Sequence, residues 1–168
     1  LAYENIVASP EITQIQKISS IKALAEACGH KGMILGQQYD LDAENNEYDD
    51  IKKIHELKTG KLIRLAMTMP HMGNEKQKKH LSILDEIGKD LGLAFQIMDD
   101  VLEVSSDSGT LGKSNQSDLL NKKLTYVSVF GKQASIDQAL ELSSQCISKL
   151  EKLFDQDEIG DLLELAKF

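Results

Sequence analysis

Apolar residues recur along this chain at steps of three and four over nearly its whole length. Ile12, Ile15, Ile18, Ile21, Leu24, Ala25 and Cys28 form one such stripe, and the spacing predicts a first helix that runs on through Gly36 to about Leu41. Asn45 and Asn46 mark a turn. Ile51, Ile54, Leu57, Leu62, Leu65, Ala66 and Met69 predict a second helix over about 49–69, broken by Pro70-His71-Met72-Gly73-Asn74. A third helix is predicted from about Glu75 to Val104. The polar Ser/Gly stretch at 105–117 reads as a loop, long enough to be functional. Shorter helices are predicted at about 118–129, 133–154 and 157–167, separated by Gly131 and by Asp155-Gln156. Alternating β-branched residues are rare. The pattern predicts an all-α fold in one domain over residues 1–168, with about six helices, three of them long.

One helical stretch departs from ordinary amphipathic patterning. Over Leu91–Val104 the circumference is apolar almost all round, with Leu91, Leu93, Ala94, Phe95, Ile97, Met98, Val101, Leu102 and Val104. A helix of that kind belongs in an interior. Yet Asp99, Asp100 and Glu103 sit near its end, with Gln96 and Gly92 continuing the stripe backwards. Asp99 and Glu103 are four apart and Asp100 and Glu103 three apart, so each pair is adjacent on the helix surface. Bare carboxylates in an apolar setting are costly and call for a cation. Clustered hard oxygen ligands suit Mg²⁺, which takes one or two carboxylates together with water and substrate phosphates. The plainer alternative is a solvated acidic patch at a helix end.

Charge and composition narrow the setting. The net charge of −8 argues against a nonspecific nucleic-acid partner and against an anionic membrane surface. No apolar run approaches the roughly 20 residues of a membrane span. Leu1-Ala2-Tyr3-Glu4 lacks the basic region of a secretory signal. The two cysteines, Cys28 and Cys146, are far apart and make neither a disulfide framework nor a metal spacing. A cytoplasmic location is expected. Leu1 is not an initiating methionine, and the chain opens and closes inside apolar phrases, so part of a longer protein is expected too.

Other phrases point toward phosphate chemistry. Lys58-Thr59-Gly60 lies within the second predicted helix. A helical glycine costs about 1 kcal/mol against alanine, which suggests a close backbone approach, with Lys58 offering a cation and Thr59 a hydroxyl. Gly32 and Gly36 are four apart and open a groove for another helix, while Gln37 and Asp40 share a face. Gly112-Lys113 lies in the polar loop, and Lys123 stands at the start of Lys123-Leu124-Thr125-Tyr126. Singly, each lysine reads more readily as a solvated surface charge than as a functional one. A Mg²⁺-bound diphosphate needs cations on several sides.

In this order the phrases Gly36-Gln37-Gln38-Tyr39-Asp40-Leu41-Asp42-Ala43-Glu44, Lys58-Thr59-Gly60, Phe95-Gln96-Ile97-Met98-Asp99-Asp100, Leu111-Gly112-Lys113 and Lys123-Leu124-Thr125-Tyr126 resemble the trans-prenyltransferase, or polyprenyl diphosphate synthase, family. The bacterial farnesyl diphosphate synthase type is the nearest likeness. The resemblance implies the C-terminal part of the isoprenoid synthase helical fold. It also implies condensation of isopentenyl diphosphate with an allylic diphosphate, Mg²⁺ as the metal, and a homodimer in the full-length protein. Asp99 and Asp100 match the family's second aspartate-rich motif and would bind Mg²⁺; Glu103 stands where the family usually has Asp. Lys58 and Lys113 would hold the allylic diphosphate, with Lys123 in support. Thr59 and Gln96 would face the developing allylic cation, with Lys58 beside them. Gln37 and Asp40 would line the cavity, and Phe95 would lie near the isopentenyl group.

The departures matter equally. Asp49-Asp50 is followed by Ile51-Lys52-Lys53 and supplies no first aspartate-rich motif. Gln116 and Val127 stand where the family often has Gly and Pro. The likeness therefore covers about the C-terminal half of a family member, and the chain by itself is expected to be inactive. Two alternatives remain open at this level: a non-catalytic helical regulatory or interaction subunit that keeps the fold, and a terpene cyclase of similar fold.

Overall fold

In the computed structural model, which describes residues 1–45, 47–73, 78–110 and 124–166, a 33-residue helix, α6 (Lys78–Thr110), forms the axis. Leu84, Ile87, Leu91, Ala94, Ile97 and Val101 step along its buried stripe by three and four. Before it come α1 (Ala2–Ala8), α2 (Gln14–Cys28), α3 (Met33–Glu44), α4 (Ile51–His55) and α5 (Lys61–Thr68). A π-helical turn at Glu56–Gly60 joins α4 to α5, and a 3-10 turn at Met69–His71 closes α5. After α6 come α7 (Tyr126–Phe130), α8 (Lys132–Leu153) and α9 (Gln156–Leu165). Among the described residues all regular structure is helical, as the sequence spacing predicts.

Three apolar clusters order these helices into layers. Leu84, Ile87 and Leu91 of α6 meet Cys146 and Leu150 of α8, with Ile159 of α9 and Ala166 closing the end. Cys146 Sγ lies 3.6 Å from the Ile87 carbonyl oxygen, and burial pushes its thiol up to about 11. Further along α6, Ala94 and Ile97 pack with Ile51, Tyr126 and Ala139. On the opposite side Leu24 and Ala27 of α2 pack on Leu65 of α5.

Two glycines on α6 bring the helix pair α5/α6 into backbone contact. A methyl group on Gly88 would lie 2.7 Å from Arg64 Cα, and one on Gly92 would lie 3.1 Å from Gly60 Cα. Only a residue without Cβ lets the two main chains approach this closely. Arg64 locks the crossing by donating from Nε to Asp85 Oδ1 at 3.0 Å and from its terminal nitrogen to Asp85 Oδ2, the fork geometry that suits a carboxylate.

The predicted boundaries shift in three places. The first long helix does not continue to Leu41: it ends at Cys28 and restarts at Met33. Gly29 and Gly32 make the break, with the Gly32 N–H donating to the Gly29 carbonyl at 3.0 Å. A Cβ on Gly32 would sit 2.0 Å from the Ala27 oxygen, so that glycine serves this tight turn rather than a helix groove. Residues 105–110, read as loop, continue α6, and Ser105 satisfies its hydroxyl against the Val101 carbonyl at 2.6 Å. The remainder of that loop, with Lys113, and the stretch 118–123, with Lys123, lie outside the described residues. Helix α7 starts at Tyr126 behind a capping box, in which Thr125 and Ser128 exchange side-chain and backbone hydrogen bonds.

Candidate functional site

The π turn organises the candidate site. A π turn inserts one extra residue into a helix and re-aims the side chains around it. Here it spans Glu56–Gly60 and carries Lys58 and Thr59. Helix α3 crosses it at Gly36, where a methyl group would lie 2.3 Å from the Lys58 amide nitrogen. The glycine expected to admit another helix is therefore Gly36. From the same helix, Asp40 accepts from Lys58 Nζ at 2.5 Å. Between α3 and the turn lies a groove of about 450 Å³ lined by Met33, Ile34, Gln37, Gln38, Leu41, Lys58 and Thr59. It joins apolar walls to amide, hydroxyl and ammonium groups. A larger hollow of about 680 Å³, bordered by Lys22, Glu26, His30, Arg64 and Asp85, lies away from these residues.

A chain of hydrogen bonds links the turn to the acidic stripe of α6. Thr59 Oγ1 donates to Gln96 Oε1 at 2.6 Å, and Gln96 Nε2 donates to Asp99 Oδ2 at 3.2 Å. Thr59, Gln96 and Asp99 are thus one connected set, with Lys58 beside it in sequence. Asp99 is exposed, and Glu103 follows four residues later, half-buried. Phe95 is 48 % exposed on α6.

Asp100 is placed differently from Asp99. It is 5 % exposed. Its Oδ2 accepts from the backbone N–H of Tyr126 at 2.6 Å and lies 3.4 Å from His55 Nε2. Among the described residues no three His, Cys, Asp or Glu side chains converge as a metal site. The expected trio of Asp99, Asp100 and Glu103 is thus not gathered as one ligand set, because neighbours on a helix point about 100° apart. An exposed Asp99 with Glu103 one turn on does fit Mg²⁺, which keeps water and phosphate in most of its positions.

Comparison with known proteins shows the family of the chain. The family model described as polyprenyl synthetase matches residues 3–163. The chain belongs to the polyprenyl synthetase family. Over 158 residues it is 37 % identical to farnesyl diphosphate synthase of Escherichia coli (strain K12), covering 92 % of this chain and 53 % of that protein. The crystal structure of an FPP/GFPP synthase from Zymomonas mobilis aligns with a TM-score of 0.79 at 29 % identity, covering 99 % of this chain and 55 % of that one. A Helicobacter pylori geranyltransferase complexed with magnesium and isoprenyl diphosphate shares the fold, with a TM-score of 0.70 at 24 % identity, covering 98 % of this chain and 52 % of that one. The chain spans about half the length of the curated relatives it matches. Among the described residues, no helix is long and apolar enough to cross a membrane.

Within this polyprenyl synthetase fold, two groups of residues have roles that sequence reasoning did not single out. His55 and Tyr126 bracket Asp100, and their rings stack with centroids 6.3 Å apart. The signal in the sequence was that Tyr126 ends a noted phrase and that His55 lies three residues before another. On the other flank of the π turn, Glu56 takes Lys53 at 2.9 Å and Arg64 at 3.9 Å. Burial works to raise the Glu56 carboxyl. The Lys53 hydrogen bond and the Lys53, Lys61 and Arg64 charges outweigh it, holding the group below its ordinary range.

Proposed function

We propose that this chain provides one wall of a trans-prenyltransferase site, which takes an allylic diphosphate and isopentenyl diphosphate in isoprenoid biosynthesis. The observation that carries the proposal is the Thr59–Gln96–Asp99 hydrogen-bonded set at the edge of a groove with apolar walls. Lys58 is the cation for the allylic diphosphate, with Lys113 and Lys123 as its partners from outside the described residues. The allylic C–O bond breaks, leaving the electron pair on diphosphate. The allylic cation then forms a C–C bond with isopentenyl diphosphate, and a proton is lost. Asp99 and Glu103 would hold Mg²⁺, which would supply charge to stabilise the departing diphosphate. Thr59 and Gln96 present neutral dipoles to the cation, and Gln37 and Asp40 line the cavity. Met33, Ile34 and Leu41 supply its apolar walls. Phe95 lies toward the isopentenyl group.

Geranyl diphosphate extended to farnesyl diphosphate is the proposed conversion, supported by the likeness to farnesyl diphosphate synthase. The proposed setting is a cytoplasmic homodimer of the full-length protein. The 168 residues contain no first aspartate-rich motif, so this chain alone is expected to give no product. That same feature favours one other reading, a non-catalytic subunit that retains the fold. The test is a product assay with geranyl and isopentenyl diphosphates and Mg²⁺, run on this chain and on the full-length protein. Farnesyl diphosphate from the full-length protein alone supports the proposal. Product from the 168-residue chain refutes its inactivity, and none from either favours the subunit reading.

A further inference from the structure

The acidic stripe divides into carboxylates of two kinds. Asp99 is exposed and joined to the Thr59–Gln96 set. Asp100 is buried between three segments distant in sequence. From α6 it accepts the Tyr126 N–H at 2.6 Å. That N–H belongs to the first residue of α7, one of the donors a helix start leaves without an intrahelical acceptor. The same oxygen lies 3.4 Å from His55 Nε2, and His55 is the last residue of α4, immediately before the π turn with Lys58 and Thr59. The His55 ring stacks on Tyr126, which in turn lies 4.5 Å from Phe130, centroid to centroid. Around this knot Ile51, Ala94, Ile97 and Ala139 are buried. With Asp100 5 % exposed and its Oδ2 already engaged by the Tyr126 amide and His55, little room is left for the waters that Mg²⁺ keeps in its shell.

We propose that Asp100 is a positioning residue rather than a metal ligand. It ties the start of α7 and the residue that opens the π turn to α6, and so fixes Lys58 and Thr59 relative to Asp99. The adjacent aspartates then divide the work: Asp99 faces the metal and substrate, and Asp100 sets the frame. This rests on the proposed diphosphate site, and the measurements separate the two.

The experiment uses the 168-residue chain and the variants Asp99→Asn, Asp100→Asn and Asp100→Ala. Inorganic diphosphate binding is followed by calorimetry at varied Mg²⁺, and the Tyr126 amide by hydrogen exchange in NMR spectra. Asp100→Asn keeps an acceptor oxygen and is expected to leave Tyr126 protected, with the Mg²⁺ requirement within about twofold of the parent. Asp100→Ala is expected to speed Tyr126 exchange at least about tenfold and to weaken diphosphate binding without moving the Mg²⁺ half-saturation. Asp99→Asn is expected to do the reverse, raising the Mg²⁺ requirement about tenfold with Tyr126 still protected. If Asp100→Ala does not fold, Asp100→Asn alone decides. A Mg²⁺ requirement raised in Asp100→Asn as far as in Asp99→Asn, or unchanged Tyr126 exchange in Asp100→Ala, overturns the proposal. If diphosphate binds to none of these proteins, the functional reading fails for this chain. Tyr126 exchange then decides Asp100 by itself: lost protection in the Ala variant, kept in the Asn variant, supports it.

Discussion

At Gly36 the space for a side chain is filled by another backbone: a Cβ there would stand 2.3 Å from the Lys58 nitrogen. Neither main chain can yield cheaply, so Gly36→Ala is expected to destabilise the fold by about 1–3 kcal/mol, as overpacking does. Urea denaturation should show a lower midpoint with an unchanged slope. Thr59→Val preserves shape and removes the hydroxyl that donates to Gln96. In the full-length protein it is expected to lower kcat with little effect on folding, read from steady-state kinetics beside a thermal melt. Sequence spacing brought Asp99 and Glu103 to one face, and α6 carries them so. It also counted Asp100 with them, since a three-residue step to Glu103 looks like adjacency. Helix phase sets Asp100 toward the buried side with Ile97 and Val101, and what receives it there is the Tyr126 amide, a backbone donor from 26 positions further along that no local pattern announces.

Among the elements, long helices were readable wherever an apolar stripe persisted, as in α6 from Leu84 to Val101. Breaks and irregular turns were not. The π turn at Glu56–Gly60 leaves the apolar spacing of Ile51, Ile54, Leu57 and Leu65 close to a plain helix, and its one visible sign was Gly60 inside that run. The break at 29–32 depends on carbonyl contacts around two glycines, which spacing alone does not distinguish from helix packing. The short helix α7 stands on its cap. Removing the Thr125 oxygen in Thr125→Ala is expected to cost about 1 kcal/mol, measurable as a fall in melting temperature, with faster amide exchange confined to Tyr126–Phe130.

Across the whole molecule, acid acts on the join between α5 and α6. His71 and His80 face each other with ring centroids 6.1 Å apart, and both rings meet Phe154. Burial, with the neighbouring His80, lowers the His71 pKa below its ordinary 6.5. The unfolded chain therefore takes up this proton at higher pH than the folded one. The stabilisation is present above about 6.5 and is lost as pH falls toward the lowered folded value. Melting temperature is expected to drop from pH 7.5 to 5.5, and less steeply in His71→Gln. The molecule also exposes Ile34 and Leu41 at the groove and Phe95 and Leu102 on α6. Concentration-dependent association by light scattering is expected, reduced in a Phe95→Ser/Leu102→Ser variant.

The sealed seam between α6 and α8 gives the molecule a clock. Cys146 lies wholly inside it with a thiol held up to about 11, whereas Cys28 is only half-buried. Thiolate is the reactive form and needs access. An alkylating reagent at neutral pH will therefore mark Cys28 promptly and Cys146 only when the helices part. The second mark counts openings of the whole core, and how each substitution changes its pace will tell a loosened fold from a damaged site without any substrate being added.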